Sequence, residues 1–204
     1  MQSNLTILTV GHSSHSLEYF ESLLKSHNVT AIADVRSAPF SRRAPQFNRD
    51  ELKASLSKID IAYSFLGREL GGRPKGASFF CEGIADYERM ANASIFKEGV
   101  DRVLRGARRY RIALLCSEHD PLDCHRCLLV SRELAKLEIE IQHILSDGSL
   151  QDQRAVESRL QRLAHSPGED LFMTSDERLA AAYRHQSRKV AFSEIPRSSK
   201  TVSG

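Results

Sequence analysis

Long apolar runs are missing from this chain. No stretch approaches the ~18 apolar residues that would cross a bilayer, so no membrane span and no membrane partner is expected. The opening MQSNLTILTVGHSS has neither a basic leader nor a long apolar segment, which predicts no signal peptide. Cysteine is scarce, four in 204 residues without framework spacing. That fits a reducing compartment rather than a disulfide-stapled module, so the expected location is the cytoplasm. An excess of one charge is lacking too: a net +3 is too small to announce a nucleic-acid binder. No internal repeat is visible. What remains, 41% apolar and 27% charged residues, describes a globular domain with a sizeable core.

The distribution of charge says more than its sum. DRVLRGARRYR (101–111) holds five arginines, read as a solvated helix face. DVRSAPFSRRAPQFNR adds Arg36, Arg42, Arg43 and Arg49 in a proline-containing loop.

Periodicity gives the order of elements. Strands are predicted at 5–10, 29–35, 61–66, 110–116 and 139–145. Between them lie helical patterns at 16–28, about 49–59, 84–109 and 124–137, with Ser16 as N-cap and Asn28 as stop for the first. Strands alternating with helices imply right-handed βαβ units. The expected fold class is therefore α/β, a three-layer sandwich with a mainly parallel sheet of about five strands. Residues 1–165 form this domain. Residues 166–204 read as a C-terminal extension with a turn-rich start, one helix over 177–192 and a frayed polar tail.

The polar residues fall at recurrent places. Gly11-His12-Ser13, Asp34-Val35-Arg36, Arg68 to Arg73, Cys116-Ser117-Glu118 and SDGS (146–149) each follow a predicted strand. In an open parallel sheet these are carboxyl ends, the edge at which α/β proteins bind ligands. Distant segments should therefore meet in one crevice.

LLCSEHDPLDCHRC (114–127) is the densest stretch. Asp120 reads as an N-cap, Pro121 as the first helical position and Asp123 as its third. Cys127, Val130, Leu134 and Leu137 then form a core stripe. A thiol at Cys124, one turn in and near His125 and Arg126, would have a depressed pKa, and the helix end would suit a phosphate or carboxylate. The cysteine spacing matches none of the usual paired zinc patterns, so neither metal nor any other cofactor is expected. Nine residues between Cys116 and Arg126 also exclude the C-x5-R loop of thiol phosphatases.

TVGHSSHSLEYFESLL, IADVRSAPFSRRAPQFNRDELKASL, IAYSFLGRELGGRP, LLCSEHDPLDCHR and HILSDGS together resemble the domain-of-unknown-function family 488, over about residues 5–150. The resemblance rests on Gly11, His12, Ser13; Asp34, Val35, Arg36; Pro39, Ser41, Arg42; Leu70, Gly71, Gly72; Cys116, Glu118; and Cys124, His125, Arg126. It implies an α/β fold and marks a site, but brings no established reaction. Cys127 stands outside its pattern.

Each candidate carries two readings. His12 either touches substrate or caps a helix. Asp34 is a general base or the salt-bridge partner of Arg36. Arg36 and Arg42 either fork onto an anion or hold loop carbonyls. Gly71 and Gly72 admit a ligand or make a turn. Glu118 is an acid or base, or pairs with Arg126. Cys116 is a nucleophile or a small residue ending a buried strand. The catalytic set is then His12, Asp34, Cys116, Glu118 and Cys124. Substrate contacts fall to Gly11, Ser13, Arg36, Ser41, Arg42, Gly71, Gly72, His125 and Arg126. Tyr63 and Phe65 read as core. So many titratable groups in one cleft favour an enzyme acting on a small anionic substrate, such as a nucleotide, a nucleoside or a nucleic-acid end. The alternative is a non-catalytic module that binds a nucleotide or nucleic acid.

Overall fold

The computed structural model describes residues 5–164 and 173–194. Most of the turn-rich start and of the polar tail expected from the C-terminal sequence lies outside those residues. In chain order the elements are β1 (Thr6–Gly11), α1 (Leu17–Ser26), β2 (Ala31–Asp34), α2 (Arg49–Ser57), β3 (Ala62–Phe65), α3 (Gly67–Leu70), β4 (Phe80–Cys81), β5 (Ile84–Ala85), α4 (Tyr87–Asn92), α5 (Ser94–Ala107) and β6 (Ile112–Cys116). A π-helical turn at Arg126–Ser131 leads into α6 (Arg132–Lys136). β7 (Glu140–Ile144), β8 (Leu150–Asp152), α7 (Gln153–Ala164) and α8 (Ser175–Val190) follow.

The main sheet has six strands in the order β3-β2-β6-β1-β7-β8. The first five run parallel, and β8 folds back antiparallel on β7. With helices on both faces this is a three-layer α/β sandwich. A two-residue hairpin, β4 with β5, stands apart from it. Among the described residues no helix is long and apolar enough to cross a membrane.

Strand alternation divides the core. Leu8, Val10, Ile32, Ala113 and Leu115 point to one face and pack under Phe20 and Leu24 of α1 and Leu52 and Leu56 of α2. Ile7, Ala33, Leu114 and Cys116 point to the other. There they meet Phe96, Val100 and Val103 of α5, Cys127 to Val130 of the π turn, and Tyr183 of α8. Each such large apolar side chain contributes about 1.5–3 kcal/mol on burial, so both layers are held by the sheet between them. Cys116 thus faces the layer that carries Cys124 and His125 because it lies two residues beyond Leu114 in a strand.

The order of strands also locates a crevice. From β2 the chain moves outward to β3, through α2 on the first face. From β6 it crosses to β7 on the other side of β1, through the π turn on the second face. Adjacent strands whose connections leave in opposite directions open a gap at their carboxyl ends. That gap lies between Asp34-Val35-Arg36 and Cys116-Ser117-Glu118.

Local signals worked where a short side chain met a free backbone group. Ser16 accepts from the Tyr19 N–H at 3.2 Å and caps α1, and Asn28 adopts the left-handed φ of 54° that ends it. Asp120 accepts from the Leu122 N–H at 2.8 Å, but it caps a 3₁₀ turn over Pro121–Asp123 rather than a continuous helix. The π turn that follows shifts the register of the predicted stripe. Cys127, Val130 and Leu134 are buried, whereas Leu137 is 53% exposed. Tyr63 packs against the core from its margin, whereas Phe65 departs from the core reading. β3 is the edge strand, both are only partly buried, and the Arg49 guanidinium lies 4.8 Å over the Phe65 ring.

Candidate functional site

Four of the five expected segments meet in the crevice; SDGS does not. Ser146 accepts from the Tyr19 hydroxyl and Gly148 contacts the His27 ring, so that turn lies along α1. The pocket has a volume of about 170 Å³ and is walled chiefly by Arg36, Gly72, Arg73, Cys116, Glu118 and His125.

Asp34 and Arg36 form the rear wall. Asp34 accepts from Arg36 Nε at 2.9 Å and Nη2 at 2.6 Å, from the Arg36 N–H at 3.0 Å, and from the Tyr63 hydroxyl at 2.6 Å. Arg36 Nη1 donates to the Phe47 carbonyl at 2.8 Å. Of the two readings of Asp34, the geometry gives the salt bridge: its oxygens are filled and it is fully buried. Burial and the neighbouring Asp34 charge push the Tyr63 hydroxyl well up, so that it acts as a donor.

His12 stacks on Phe47, with centroids 4.4 Å apart. Its Nδ1 is 2.9 Å from the Ser13 carbonyl, which can only accept, so that nitrogen carries the proton. The Nε2 lone pair then faces the Ser117 hydroxyl at 3.1 Å. Burial, and next the Arg36 charge, lower the His12 pKa from 6.5 to about 4. The ring is therefore a neutral acceptor aimed at a hydroxyl that lines the pocket. Sequence reasoning missed Ser117 as a candidate, although its place between Cys116 and Glu118 was a usable signal.

The opposite wall is a sulfur-rich cluster. His125 Nε2 lies 2.9 Å from the Val35 carbonyl and carries a proton, so in the neutral ring Nδ1 holds the lone pair. That atom is 3.6 Å from Cys116 Sγ and 3.9 Å from Cys124 Sγ. Cys124 Sγ donates to Glu118 Oε2 at 2.9 Å. One ligand atom from each of Cys116, Glu118, Cys124 and His125 lies within 4.8 Å of all the others. Desolvation raises the Glu118 carboxyl, but hydrogen bonds from the two thiols and its own backbone outweigh it and bring the pKa to about 2.

The expected depressed pKa of Cys124 is corrected. The cysteine is only 1% exposed, and desolvation pushes its thiol well above the ordinary value, against the pull of Arg126. The helix end that was to favour a thiolate is displaced, because the 3₁₀ turn precedes Cys124 and the π turn starts after it. Cys127 is buried, as its place in the core stripe predicts.

Arg126 organises the loop beneath. It is fully buried and donates to the Glu118 and His119 carbonyls at 2.7 and 3.1 Å. Its contact with Glu118 is through the backbone, not the carboxylate. Gly11 makes room: a Cβ there would lie 1.9 Å from the Glu118 carbonyl oxygen and 3.0 Å from Arg126 Nη1. Gly72 does the same for His125, whose Cγ would be 2.8 Å from an added Cβ. Gly71 and Ser41 serve their loops. A Cβ on Gly71 would strike the Gly67 carbonyl and Ser37, and Ser41 accepts from the Arg43 and Ala44 N–H groups. Arg42 is exposed and outside the pocket wall. Tyr87, Val190 and Phe192 complete the wall and had no sequence signal, being ordinary apolar residues of other elements.

A parallel sheet with its polar residues at a switch point defines the class, an α/β protein with a carboxyl-edge pocket. Within that class the chain belongs to the family described as Domain of unknown function DUF488, whose model matches residues 16–132. The match is shorter than the resemblance over 5–150 and begins after Gly11–Ser13. No curated protein and no solved structure matches the chain.

Proposed function

We propose that the chain is an enzyme acting on a small anionic substrate, a nucleotide, nucleoside or nucleic-acid end, in the carboxyl-edge pocket. The observation that carries this reading is the meeting of Cys116, Ser117, Glu118 and His125 around one cavity, with a neutral His12 behind Ser117. A binding surface needs no such collection of proton donors, acceptors and thiols. About 170 Å³ is below the ~300 Å³ of pockets that engulf a whole ligand. It suits one terminal group, such as a phosphate, with the rest of the substrate outside. Arg73, stacked 5.4 Å from the Phe192 ring, is the cation at the mouth. Cytoplasmic residence fits the buried free thiols.

The test is a turnover screen of nucleotides and of oligonucleotides carrying 5′ or 3′ phosphates, read by mass spectrometry. Product formation is expected and should fall at least a hundredfold in Glu118→Gln.

The second reading is a non-catalytic nucleotide- or nucleic-acid-binding module. It draws on Phe40, 71% exposed, beside the exposed Arg42 and Arg43. Binding without turnover, weakening steeply with salt and untouched by Glu118→Gln, would select it.

A further inference from the structure

We propose that Cys116, Cys124 and His125, with Glu118 as an exchangeable fourth ligand, hold a zinc(II) ion at the wall of the pocket. This inference deepens the enzymatic reading and rests on it for its purpose, though not for its test.

The donor set is the first argument. Two sulfurs, one imidazole nitrogen and one carboxylate oxygen are ligands that tetrahedral zinc accepts. Bonds of about 2.3 Å to sulfur and about 2.0 Å to nitrogen at a tetrahedral angle set those atoms roughly 3.5 Å apart. His125 Nδ1 lies 3.6 and 3.9 Å from the two sulfurs. Glu118 Oε2, 2.9 Å from Cys124 Sγ, has to withdraw by about 0.7 Å to reach the equivalent spacing of about 3.6 Å. Glu118 is exposed and can do so.

The second argument is the ring that holds the lone pair. A metal-binding histidine commonly donates its other N–H to a carbonyl or carboxylate, which fixes tautomer and orientation. His125 Nε2 meets the Val35 carbonyl, and Gly72 leaves no room for the ring to swing that way. Both constraints aim Nδ1 at the sulfurs.

Charge supplies the third. A dication among two thiolates and one carboxylate leaves a single negative charge. Arg126 is a fully buried guanidinium that makes no ion pair among the described residues, and its Nε has no hydrogen-bond partner. It carries the one positive charge that such a centre needs nearby. With neutral thiols, its direct partners are two carbonyl groups and Glu118 supplies the negative charge that acts on it.

Sequence spacing argued against a metal because paired ligands usually sit two to four residues apart. Here the ligands come from a strand end, a loop and the start of a helical turn, so the pairing is spatial. Binding releases the two thiol protons, so affinity should rise with pH. Of the four ligands, three are buried and Glu118 alone is exposed. That is the arrangement of a centre that opens one position to water or substrate, on the side of the pocket that Glu118 lines. The dication replaces the two thiol protons, so the cluster keeps its net charge while a Lewis acid stands at the pocket wall.

The experiment is metal analysis of the full chain purified without chelator under reducing conditions, followed by anaerobic cobalt(II) replacement. Roughly one equivalent of zinc per chain is expected, and sulfur-to-cobalt charge-transfer bands with intense tetrahedral visible absorption. Cys124→Ser and His125→Gln should lower affinity at least tenfold, Glu118→Gln less, and Cys81→Ser not at all. The wild-type cobalt spectrum needs no variant to fold. Less than about one tenth of an equivalent, together with no charge-transfer band on adding cobalt(II) to reduced protein, would overturn the site. Stoichiometric iron would overturn the choice of metal. Zinc without turnover would leave this inference standing and sink the enzymatic reading; turnover in zinc-free protein would do the reverse.

Discussion

His125 Nε2 meets the carbonyl oxygen of Val35 at 2.9 Å, joining residues 90 positions apart. Val35 lies between the two members of a buried ion pair, and His125 between a buried thiol and a buried guanidinium. This one hydrogen bond ties the rear wall of the pocket to its sulfur cluster. Displacing either side should disturb the other.

Asp34→Asn should destabilise the fold by about 3–5 kcal/mol, because it strands the Arg36 guanidinium in the interior. Tyr63→Phe removes a single donor to the same carboxylate and should cost about 1 kcal/mol. Urea denaturation at neutral pH measures both. Equal losses would contradict the hierarchy drawn here.

Gly11→Ala should cost on the order of 3 kcal/mol, since its Cβ would meet backbone at Glu118 and overpacking cannot relax cheaply there. Gly72→Ala meets a side chain instead. It should fold, with His125 displaced and the Val35 hydrogen bond weakened. The His125 ring signals in an NMR spectrum would report the shift; an unchanged ring would refute it.

Native alkylation should label Cys81 first, as the half-buried cysteine of the four. Cys124 and Cys127 should resist labelling, because burial hides them and raises both thiol pKa values. Peptide mapping after a short iodoacetamide pulse decides. Labelling of Cys124 as fast as Cys81 would disprove the burial.

Stability should fall in mild acid. His143 sits between the Thr9 hydroxyl and the Gln153 amide oxygen, and desolvation lowers its pKa from 6.5 to about 4. The folded ring stays neutral while the unfolded one protonates. Between about pH 6.5 and 4 the unfolded chain therefore binds more protons, and stability declines as pH drops through that window. The full loss is roughly 3 kcal/mol. His12 shifts the same way. Urea midpoints at about pH 7 and 4.5 should differ in the wild type and less so in His143→Gln. A wild-type midpoint flat with pH would count against the neutral buried ring.

The centre of the sheet was legible because β1, β2 and β6 are buried runs that end at polar residues, with Gly11, Asp34 and Cys116 marking those ends. β8 and α7 were not. Leu150–Asp152 is too short for periodicity to register, and α7 spends its apolar residues, Val156 and Leu160, on a narrow stripe. The cluster of Cys116, Glu118, Cys124 and His125 was visible as a list of residues but not as a constellation. Which sulfur faces which ring depends on a 3₁₀ turn and a π turn, and neither leaves a pattern in composition. The reach of Arg126 was hidden likewise, since its partners are backbone carbonyls, which no side chain advertises.

The pocket draws on two separate parts of the chain. Cys116, Glu118, Cys124 and His125 lie inside the family match, residues 16–132, while Val190 at the end of α8 and Phe192 just beyond it come nearly sixty residues downstream. Phe192 stands on the pocket wall with its ring 5.4 Å from the Arg73 guanidinium. A wall built this way is an interchangeable part. Substitutions at 190 and 192 can reshape the mouth while leaving the thiols, Glu118, His125 and the strands that hold them untouched.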